Sequence, residues 1–494
     1  MTRFMGAIAA TRFGLGARPG EINDAASDPR GWLKAQVRPD AGVIPQGDLK
    51  SSKQVFEARI KGLLSRAGAR VGSEAVPSDK SANSVEDVQK ALLQQVQREA
   101  REGLQREIAT RSGHAAITPD PFAERWVRFW SNHFTVAARN AEMIGLVGPF
   151  EREAIRPHAF GRFETLLGAS SLHPAMLTYL DAARSVGPST PAARQRDAGL
   201  NENLAREILE LHTIGVGSGY DQADIIEFAK ALTGWTVGSP LTARLASLGT
   251  EAAGARAARG ARARQTARRR ILAQIGEAVF VEELHEPGPR KVLGFVYSGA
   301  AQLQAEMILK DLSRNRATAR HIALKLARHF VSDAPPASAI KKLEDAYLRS
   351  EGDLAVLAGA VIDLDEAWGV QPQKFKSPEE LLISASRATG SSTTFGGAPR
   401  QIYVSLAQQP FTAPSPAGWP DDTASWSGPD AMKKRLEWAN AVSRRMVRGE
   451  APTSFLDQAL GDLASKRTRE AVARAESAEQ GMTIALMCPE FQRR

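Results

Sequence analysis

Apolar residues recur at three- and four-residue spacing along most of the 494-residue chain. Between Ser84 and Thr110, for example, this spacing places the valines and leucines on one face of a helix. Ser377–Glu380 reads Ser-Pro-Glu-Glu, a typical helix start with a cap, an early proline and first-turn acids. No alternation of strands and helices is visible, which argues against a Rossmann or barrel architecture. We therefore predict an all-α fold with many helices in an irregular arrangement.

Strand signals are confined to one short region. Ala278–Glu283 and Lys291–Gly294 carry β-favouring residues, and His285–Pro289 between them has the composition of a turn. The sequence therefore predicts at most a small β-hairpin near residues 278–294.

No shift in composition divides the chain, and no internal repeat of roughly 20–50 residues is found. We expect a single large helical domain over residues 1–494. Two segments differ from the rest. Residues 240–270 are rich in Ala and Arg and indicate an exposed or disordered insertion, and residues 48–83 indicate a loose segment.

The chain carries 64 Lys and Arg residues against 55 Asp and Glu residues, a formal net charge of +9. Seven arginines and no acidic residue lie between Ala255 and Arg270, so most of the excess is local. This stretch has neither the aromatic residues nor the motifs that nucleic-acid-binding proteins use for stacking and readout. Nucleic acid is therefore not the expected partner, and a solvated insertion accounts for the arginines.

Cys488 is the single cysteine, which excludes internal disulfide bonds and multi-cysteine metal sites. No run of about 18 apolar residues predicts a membrane span. Phe4–Ala10 is short for a secretory signal, and no twin arginine precedes it. We therefore expect a cytoplasmic protein, with export in complex with a partner as the alternative.

Chemically active side chains are densest in Asn201–Gly215. At about 100° per residue, one arc of this helix carries four polar side chains, Asn203, Arg206, Glu207 and Glu210. Two carboxylates one turn apart can act as an acid/base pair or as the oxygen face of a metal site, and their closeness raises one carboxyl pKa. The structural alternative is a solvated stripe in which Arg206 pairs with Glu202 or Glu210.

Three histidines are candidates for the same site. His212 falls on the apolar side of that helix, where it is either a buried or capping residue or a site residue. His133 lies among aromatics and is either a core residue or a ligand, and His285 lies in a Pro/Gly turn typical of functional loops. The candidate metal ligands are His133, Glu207 and His285, so a divalent metal stays open. His321 and His329 lack the i, i+4 spacing at which two histidines share a metal.

Familiar catalytic signatures are missing: the sequence has no HExxH, GxSxG, Walker A or helix-leading GxGxxG motif. Nine segments nevertheless form a specific pattern: Thr11–Glu21, Arg125–Val136, His173–Ser185, Asn201–Tyr220, Ala223–Thr236, His285–Gly294, Lys374–Arg387, Gln408–Asp421 and Pro489–Arg494. Together they resemble the bacterial family named domain of unknown function 1800 over nearly the whole chain.

The resemblance implies a helical protein without an established activity. Members often occur beside a second family, domain of unknown function 1501, which resembles sulfatases and alkaline phosphatases and often carries a twin-arginine leader. Many members of the first family carry export signals, and this sequence shows none. The resembling segments include the polar residues selected above, which favours a shared polar site or a shared buried network.

Two functional hypotheses follow. The first is an enzyme of hydrolase or lyase type acting on a carbohydrate or an ester. Glu207 and Glu210 would be its acid and base, or metal ligands with His212, His285 or His133, and Arg206 and Asn203 would bind the substrate. The alternative is a non-enzymatic helical partner or escort of an exported domain-of-unknown-function-1501 protein. Trp419 and Trp426 would then form the contact loop, unless both fill the core.

Overall fold

The computed structural model describes residues 2–60, 82–196, 199–246, 265–390 and 399–494. The fold is mainly helical, which confirms the predicted fold class. The main helices are α1 (Ala82–Ile117), α2 (Pro121–His133), α3 (Phe163–Ser171), α4 (Gln222–Leu232), α5 (Ala301–Arg314), α6 (Arg316–Phe330), α7 (Ala337–Arg349), α8 (Leu354–Asp363), α9 (Pro378–Ala388), α10 (Pro429–Met446), α11 (Pro452–Leu460) and α12 (Ala478–Met487).

Shorter helical segments connect these helices. The α-helical ones are Thr2–Ile8, Glu21–Ala26, Pro29–Lys34, Val147–Phe150, Pro174–Tyr179, Pro191–Arg196, Asn203–Glu207, Pro240–Leu245, Pro399–Ser405, Thr423–Trp426, Lys466–Ala473 and Pro489–Gln492. Three turns are π-helical, Ala9–Phe13, Glu151–Ile155 and Ile208–His212. The 3-10 turns are Pro39–Gly42, Arg156–His158, Ala182–Arg184, Glu282–Leu284, Asp365–Trp368 and Gly461–Leu463.

Four short strands form two antiparallel pairs. The strand β1 (Trp235–Val237) pairs with β2 (Ala278–Phe280), and β3 (Arg290–Val292) pairs with β4 (Phe295–Tyr297). The two segments that the sequence selected as strands are therefore present, but they do not pair with each other. β3 instead turns directly into β4 through Leu293 and Gly294, which both have positive φ. Two such residues make the tight turn that matches the twist of a hairpin.

Helix starts follow the predicted capping chemistry. At α9, the Ser377 hydroxyl accepts the Glu380 amide and the Glu380 carboxylate accepts the Ser377 amide. At α4, Asp221 and Asp224 form the same reciprocal box. Each box satisfies backbone N–H groups that the first helical turn leaves without partners.

A continuous apolar core runs from Ile8 to Phe491. In its centre the Phe13 ring lies 4.7 Å from the Trp368 ring and 6.2 Å from the Phe330 ring. Near the other end of the chain, backbone hydrogen bonds in both directions join Lys374 to Arg494. The arginine thereby reaches α6, where its guanidinium donates to the carbonyl of His329.

The two segments singled out for composition are described only in part. Within residues 48–83, residues 52–60 are helical and Phe56 belongs to the core, whereas residues 61–81 lie outside the described residues. Pro240–Leu245 is a helix whose Ala243 is buried, and residues 265–270 are helical and mostly exposed. Residues 247–264 lie outside the described residues, and the single-domain organisation stays a prediction.

Candidate functional site

A cavity of about 680 Å³ lies between α2, α6, the start of α9 and the loop 408–426. Most of the side chains that define its chemistry are charged. The cations are Arg111, Arg125, Arg128, Lys325 and Arg328, and the acids are Asp333, Glu379, Glu380, Asp421 and Asp422. His329 and Asn132 also line it.

Helix geometry explains how α6 supplies its part of the wall. Lys325 and His329 are four residues apart, so both project from one face of the helix. The adjacent face is apolar and packs into the core through residues such as Ile322 and Leu326. Arg328, between the two, is exposed at the cavity rim.

His329 and Asp421 form a close pair in the cavity wall. The Nδ1 atom of His329 lies 2.7 Å from the Oδ2 atom of Asp421. Burial lowers the pKa of His329 to about 4, although the Asp421 carboxylate acts in the opposite direction. Burial alone would raise the pKa of Asp421, but His329, Lys374 and Arg494 outweigh it and hold the pKa below its usual range.

These pKa directions define the protonation states at neutral pH. Asp421 is ionised and accepts the Nδ1–H of a neutral His329 ring. The second ring nitrogen, Nε2, is then a hydrogen-bond acceptor. The nearest charged group is the guanidinium of Arg125, whose Nη1 atom lies 3.5 Å from Nε2. A neutral imidazole held by a carboxylate in this way can accept a proton at Nε2, and its pKa of about 4 makes it a weak base.

Lys325 differs from the other charged groups of the cavity. Within the described part of the chain, its amine makes no hydrogen bond and no ion pair. Burial lowers the pKa of Lys325 to about 8, with Asp421 acting weakly in the opposite direction. A sizeable fraction of the amine is therefore unprotonated near neutral pH, and the free amine is a base and a nucleophile.

Two cations of the cavity, Lys325 and Arg328, remain available to a ligand. Each carboxylate that lines it is already held by another group: Glu379 by Arg111 and Arg128, Glu380 by Arg125 and Arg494, Asp333 by Lys374, Asp421 by His329, and Asp422 by the Ser425 amide. Among the described residues, Lys325 and Arg328 have no such partner. An anionic ligand would supply the partner that these two cations lack.

A set of largely buried ionic side chains extends from the cavity wall into the core and is here named the Arg156 network: Arg111, Glu124, Arg128, Glu151, Arg156 and Glu379. Arg156 donates to Glu124 at 2.8 Å and to Glu151 at 2.7 Å. The pKa values of both carboxyls are lowered, because these arginines outweigh the effect of burial. The network balances three positive and three negative charges and joins α1, α2 and α9 to the Glu151–Ile155 turn.

The loop 408–426 is fixed by Asn132 of α2. The side chain of Asn132 donates to the Trp419 carbonyl at 2.9 Å and accepts the Trp419 amide at 2.8 Å. Gly418 has a φ of 88°, and a Cβ there would lie 2.5 Å from the Asn132 carbonyl oxygen. Only glycine therefore fits this close approach. Trp426 is buried beside Trp419, which remains half-buried at the cavity wall.

The polar stripe selected from the sequence lies elsewhere. Arg206 donates to Glu202 at 2.9 Å and lies 3.8 Å from Glu210, as the structural alternative predicts. Asn203 is exposed and Glu207 is half-buried. Burial, and then the Glu210 carboxylate, raise the pKa of Glu207. None of these side chains lines the 680 Å³ cavity, and their catalytic role stays a prediction.

Two of the three histidines selected from the sequence, His133 and His212, lie close together. They are joined by His321, which the sequence analysis had not selected. His133, His212 and His321 form a buried histidine cluster, with ring centroids 6.0 Å apart for His133 and His212 and 6.4 Å apart for His133 and His321. Burial first, and then Lys325, lower the pKa to about 3 for His212 and to about 4 for His321. His133 shows the same direction. All three rings are therefore neutral at pH 7.

His285 lies in a separate place. Its Nδ1–H donates to the Thr233 carbonyl at 2.7 Å, and its ring packs 5.4 Å from that of Phe280. No hydrogen bond or ring contact between described residues joins it to His133 or to the polar stripe. In the described ranges, no group of three or more His, Cys, Asp or Glu side chains is arranged to hold a metal ion.

Of the residues selected from the sequence, His133, Trp419 and Trp426 line the cavity, but the charged residues central to its chemistry were missed. His329 was considered only as a metal ligand, and Lys325 and Asp421 were not selected. A usable signal was present: Arg125–Val136, Lys374–Arg387 and Gln408–Asp421 are three of the segments that carry the family resemblance, and all three line the cavity.

Fold and cavity together define a mainly helical protein with a charged internal site. The family described as "Protein of unknown function (DUF1800)" matches residues 8–493, and the chain belongs to this family. No curated protein and no solved structure matches the chain. Across the described ranges, none of the helices has the length and apolarity that crossing a bilayer requires.

Proposed function

We propose that the protein is an enzyme of hydrolase or lyase type that performs acid–base chemistry on a small anionic molecule in the 680 Å³ cavity. The observation that carries this proposal is the His329–Asp421 pair, with its 2.7 Å hydrogen bond, in a cavity where Lys325 and Arg328 have no ion-pair partner among the described residues. An ester or a sugar that carries a carboxylate fits both features.

Each of the charged cavity residues has a distinct role in this proposal. His329 takes a proton from the substrate at Nε2, and Asp421 holds the ring in the tautomer that leaves Nε2 free to accept it. Arg125, on the Nε2 side, stabilises negative charge that develops on the substrate. Lys325 and Arg328 attract the anionic group of the substrate.

The test is a calorimetric screen of small carboxylates, uronic acids and phosphate esters, followed by assays for ester hydrolysis and elimination. Arg328→Gln should weaken binding of the best anion by about tenfold, because it removes one charge-assisted contact. His329→Gln should retain binding but lower turnover by about 100-fold or more. Arg316→Gln, a change at an exposed arginine that does not line the cavity, is the matched control. Failure of every anion to bind would contradict the proposal, as would full activity of His329→Gln.

The metal-assisted version is a separate hypothesis, because its ligands come from the polar stripe and the histidines. Elemental analysis of the purified protein beside Glu207→Gln and His285→Ala tests it directly. Stoichiometric metal that both variants lose would support a shared metal site. Metal retained in both variants would contradict it.

The second candidate function is that of a partner of a domain-of-unknown-function-1501 protein. Four apolar side chains on β4 and α5 support it because they are exposed: Phe295, Val296, Leu303 and Met307. Exposed apolar groups that lie near one another are typical of protein contacts. Phe295→Asp should abolish co-purification with such a partner, and Leu436→Asp, at an exposed leucine of α10, should not. Cell fractionation with and without the partner tests whether the protein is cytoplasmic or exported in complex.

A further inference from the structure

We infer that Lys325 forms an imine with the carbonyl carbon of a small oxo acid whose carboxylate is bound by Arg328. The inference deepens the proposed function and rests on it, since it names the substrate class and the covalent step for the same cavity. Two observations carry it: Lys325 lines the cavity without a partner among the described residues, and the unpaired guanidinium of Arg328 lies three residues further along the same helix.

Two nearby lysines show why Lys325 is singled out. Lys374 is buried and ion-paired, with its amine 2.6 Å from an Asp333 carboxylate oxygen. Lys376 is also buried, but its amine lies over the Phe491 ring at 4.2 Å and does not line the cavity. Burial lowers the pKa of Lys376 to about 7, below that of Lys325. A low pKa is therefore not sufficient for reaction. Lys325 and Lys376 differ in that only Lys325 lines the cavity.

The chemistry balances without an external oxidant or reductant. The Lys325 nitrogen forms a bond to the carbonyl carbon, while a proton moves from nitrogen to the former carbonyl oxygen. A second proton then passes from the nitrogen to the same oxygen, which leaves as water while the C=N bond forms. His329, four residues along on the same face of α6, carries the protons at its Nε2 atom, which bears no hydrogen in this tautomer and lies 3.5 Å from Arg125.

The test traps the imine by reduction. The native protein is incubated with pyruvate and sodium cyanoborohydride near pH 8, and each lysine is then read by peptide mass mapping. We expect a reduced pyruvyl adduct at Lys325 at about tenfold or more the level at Lys374 and Lys376, because only its free amine is accessible. Below the Lys325 pKa of about 8, the initial rate should fall by about tenfold per pH unit.

Two variants separate this inference from the proposed function. Lys325→Arg keeps the positive charge and should bind pyruvate without forming an adduct. Arg328→Gln keeps the amine and should lower adduct formation by about tenfold at low pyruvate, through weaker binding. Far-ultraviolet circular dichroism of each variant checks that it is folded.

The outcomes are distinguishable. Adducts spread evenly over the surface lysines overturn the inference. Pyruvate or another anion that binds in calorimetry without an adduct at Lys325 also overturns the imine, but leaves acid–base chemistry in the cavity standing. Absence of both binding and adduct overturns the inference and the proposed function together.

Discussion

Lys325 and His329 lie one turn apart on α6 and line the same cavity, but only His329 is held by another side chain there, at 2.7 Å from Asp421. The two side chains therefore differ in chemical behaviour. The held ring is fixed in one tautomer and orientation, whereas the free amine can move to meet a ligand.

The first prediction concerns the protonation state of His329. Its pKa of about 4 means that the ring stays neutral between about pH 5 and pH 8, with the proton on Nδ1. Replacing Asp421 by Asn removes a charge that raises this pKa, so the pKa should fall further. Nitrogen-15 NMR of labelled histidine measures both the tautomer and the titration. His158, which is half-buried and has no carboxylate among the causes of its lowered pKa, is the internal reference. A His329 titration near pH 6.5 would contradict the prediction.

The second prediction concerns the Arg156 network. Glu124→Gln leaves two buried guanidiniums, those of Arg128 and Arg156, with one negative charge too few. Loss of one partner from a buried ionic set costs about 3–5 kcal/mol of unfolding free energy. The exposed pair of Arg162 and Glu351 provides the control, because Glu351→Gln should change stability by less than about 0.5 kcal/mol. Urea unfolding of the three proteins measures the difference, and equal midpoints would refute the assignment.

Local features were predictable from the sequence because a few neighbouring residues determine them. The start of α9 follows from the reciprocal hydrogen bonds of Ser377 and Glu380, and the pairing of Arg206 with Glu202 follows from their i, i+4 spacing. The burial of His212 followed from its place on the apolar side of its helix. Helical periodicity also fixed the fold class, since apolar spacing reports which face enters a core.

The site itself could not be predicted in this way. His329 and Asp421 are 92 residues apart, and no periodic pattern records that α6 and the loop 408–426 share a cavity wall. Strand pairing was also not predictable from neighbouring residues. β2 pairs with β1, about 40 residues earlier, instead of with the segment Lys291–Gly294. The stripe on Asn203–Glu207 was attractive because its residues are adjacent, which is the kind of grouping that a single sequence reveals most easily.

The third prediction is a loss of stability in acid that originates in the histidine cluster. The folded pKa values of His133 and His212 lie well below the value of about 6.5 for an unfolded chain, so the unfolded state binds more protons in this range. The free energy of unfolding is therefore highest above about pH 6.5, and it falls as the pH decreases toward the folded pKa values. Each of these two histidines should lower the free energy of unfolding by about 2 kcal/mol between pH 7 and pH 5.

Chemical unfolding at the two pH values checks this prediction with one variant. His212→Leu removes one of the titrating groups and should reduce the loss between pH 7 and pH 5 by about 2 kcal/mol, whatever its effect at pH 7. His158→Leu, at a half-buried ring outside the cluster, should reduce the loss less. An equal loss in the wild-type protein and in His212→Leu would show that the cluster is not its source.

The last prediction concerns the loop 408–426, which contacts α6 in the cavity wall. Gly418→Ala places a Cβ 2.5 Å from the Asn132 carbonyl oxygen at a φ of 88°, so the loop must move away from α2. Strain of this kind costs about 1–3 kcal/mol, and the displacement should also shift the fluorescence of Trp419 and weaken anion binding in the cavity. Gly369→Ala is the matched control, because that glycine has a negative φ and nothing within 4 Å of an added Cβ. Fluorescence-monitored urea unfolding and calorimetry measure the three effects. If Gly418→Ala bound anions as tightly as Gly369→Ala, the loop would not be part of the binding site.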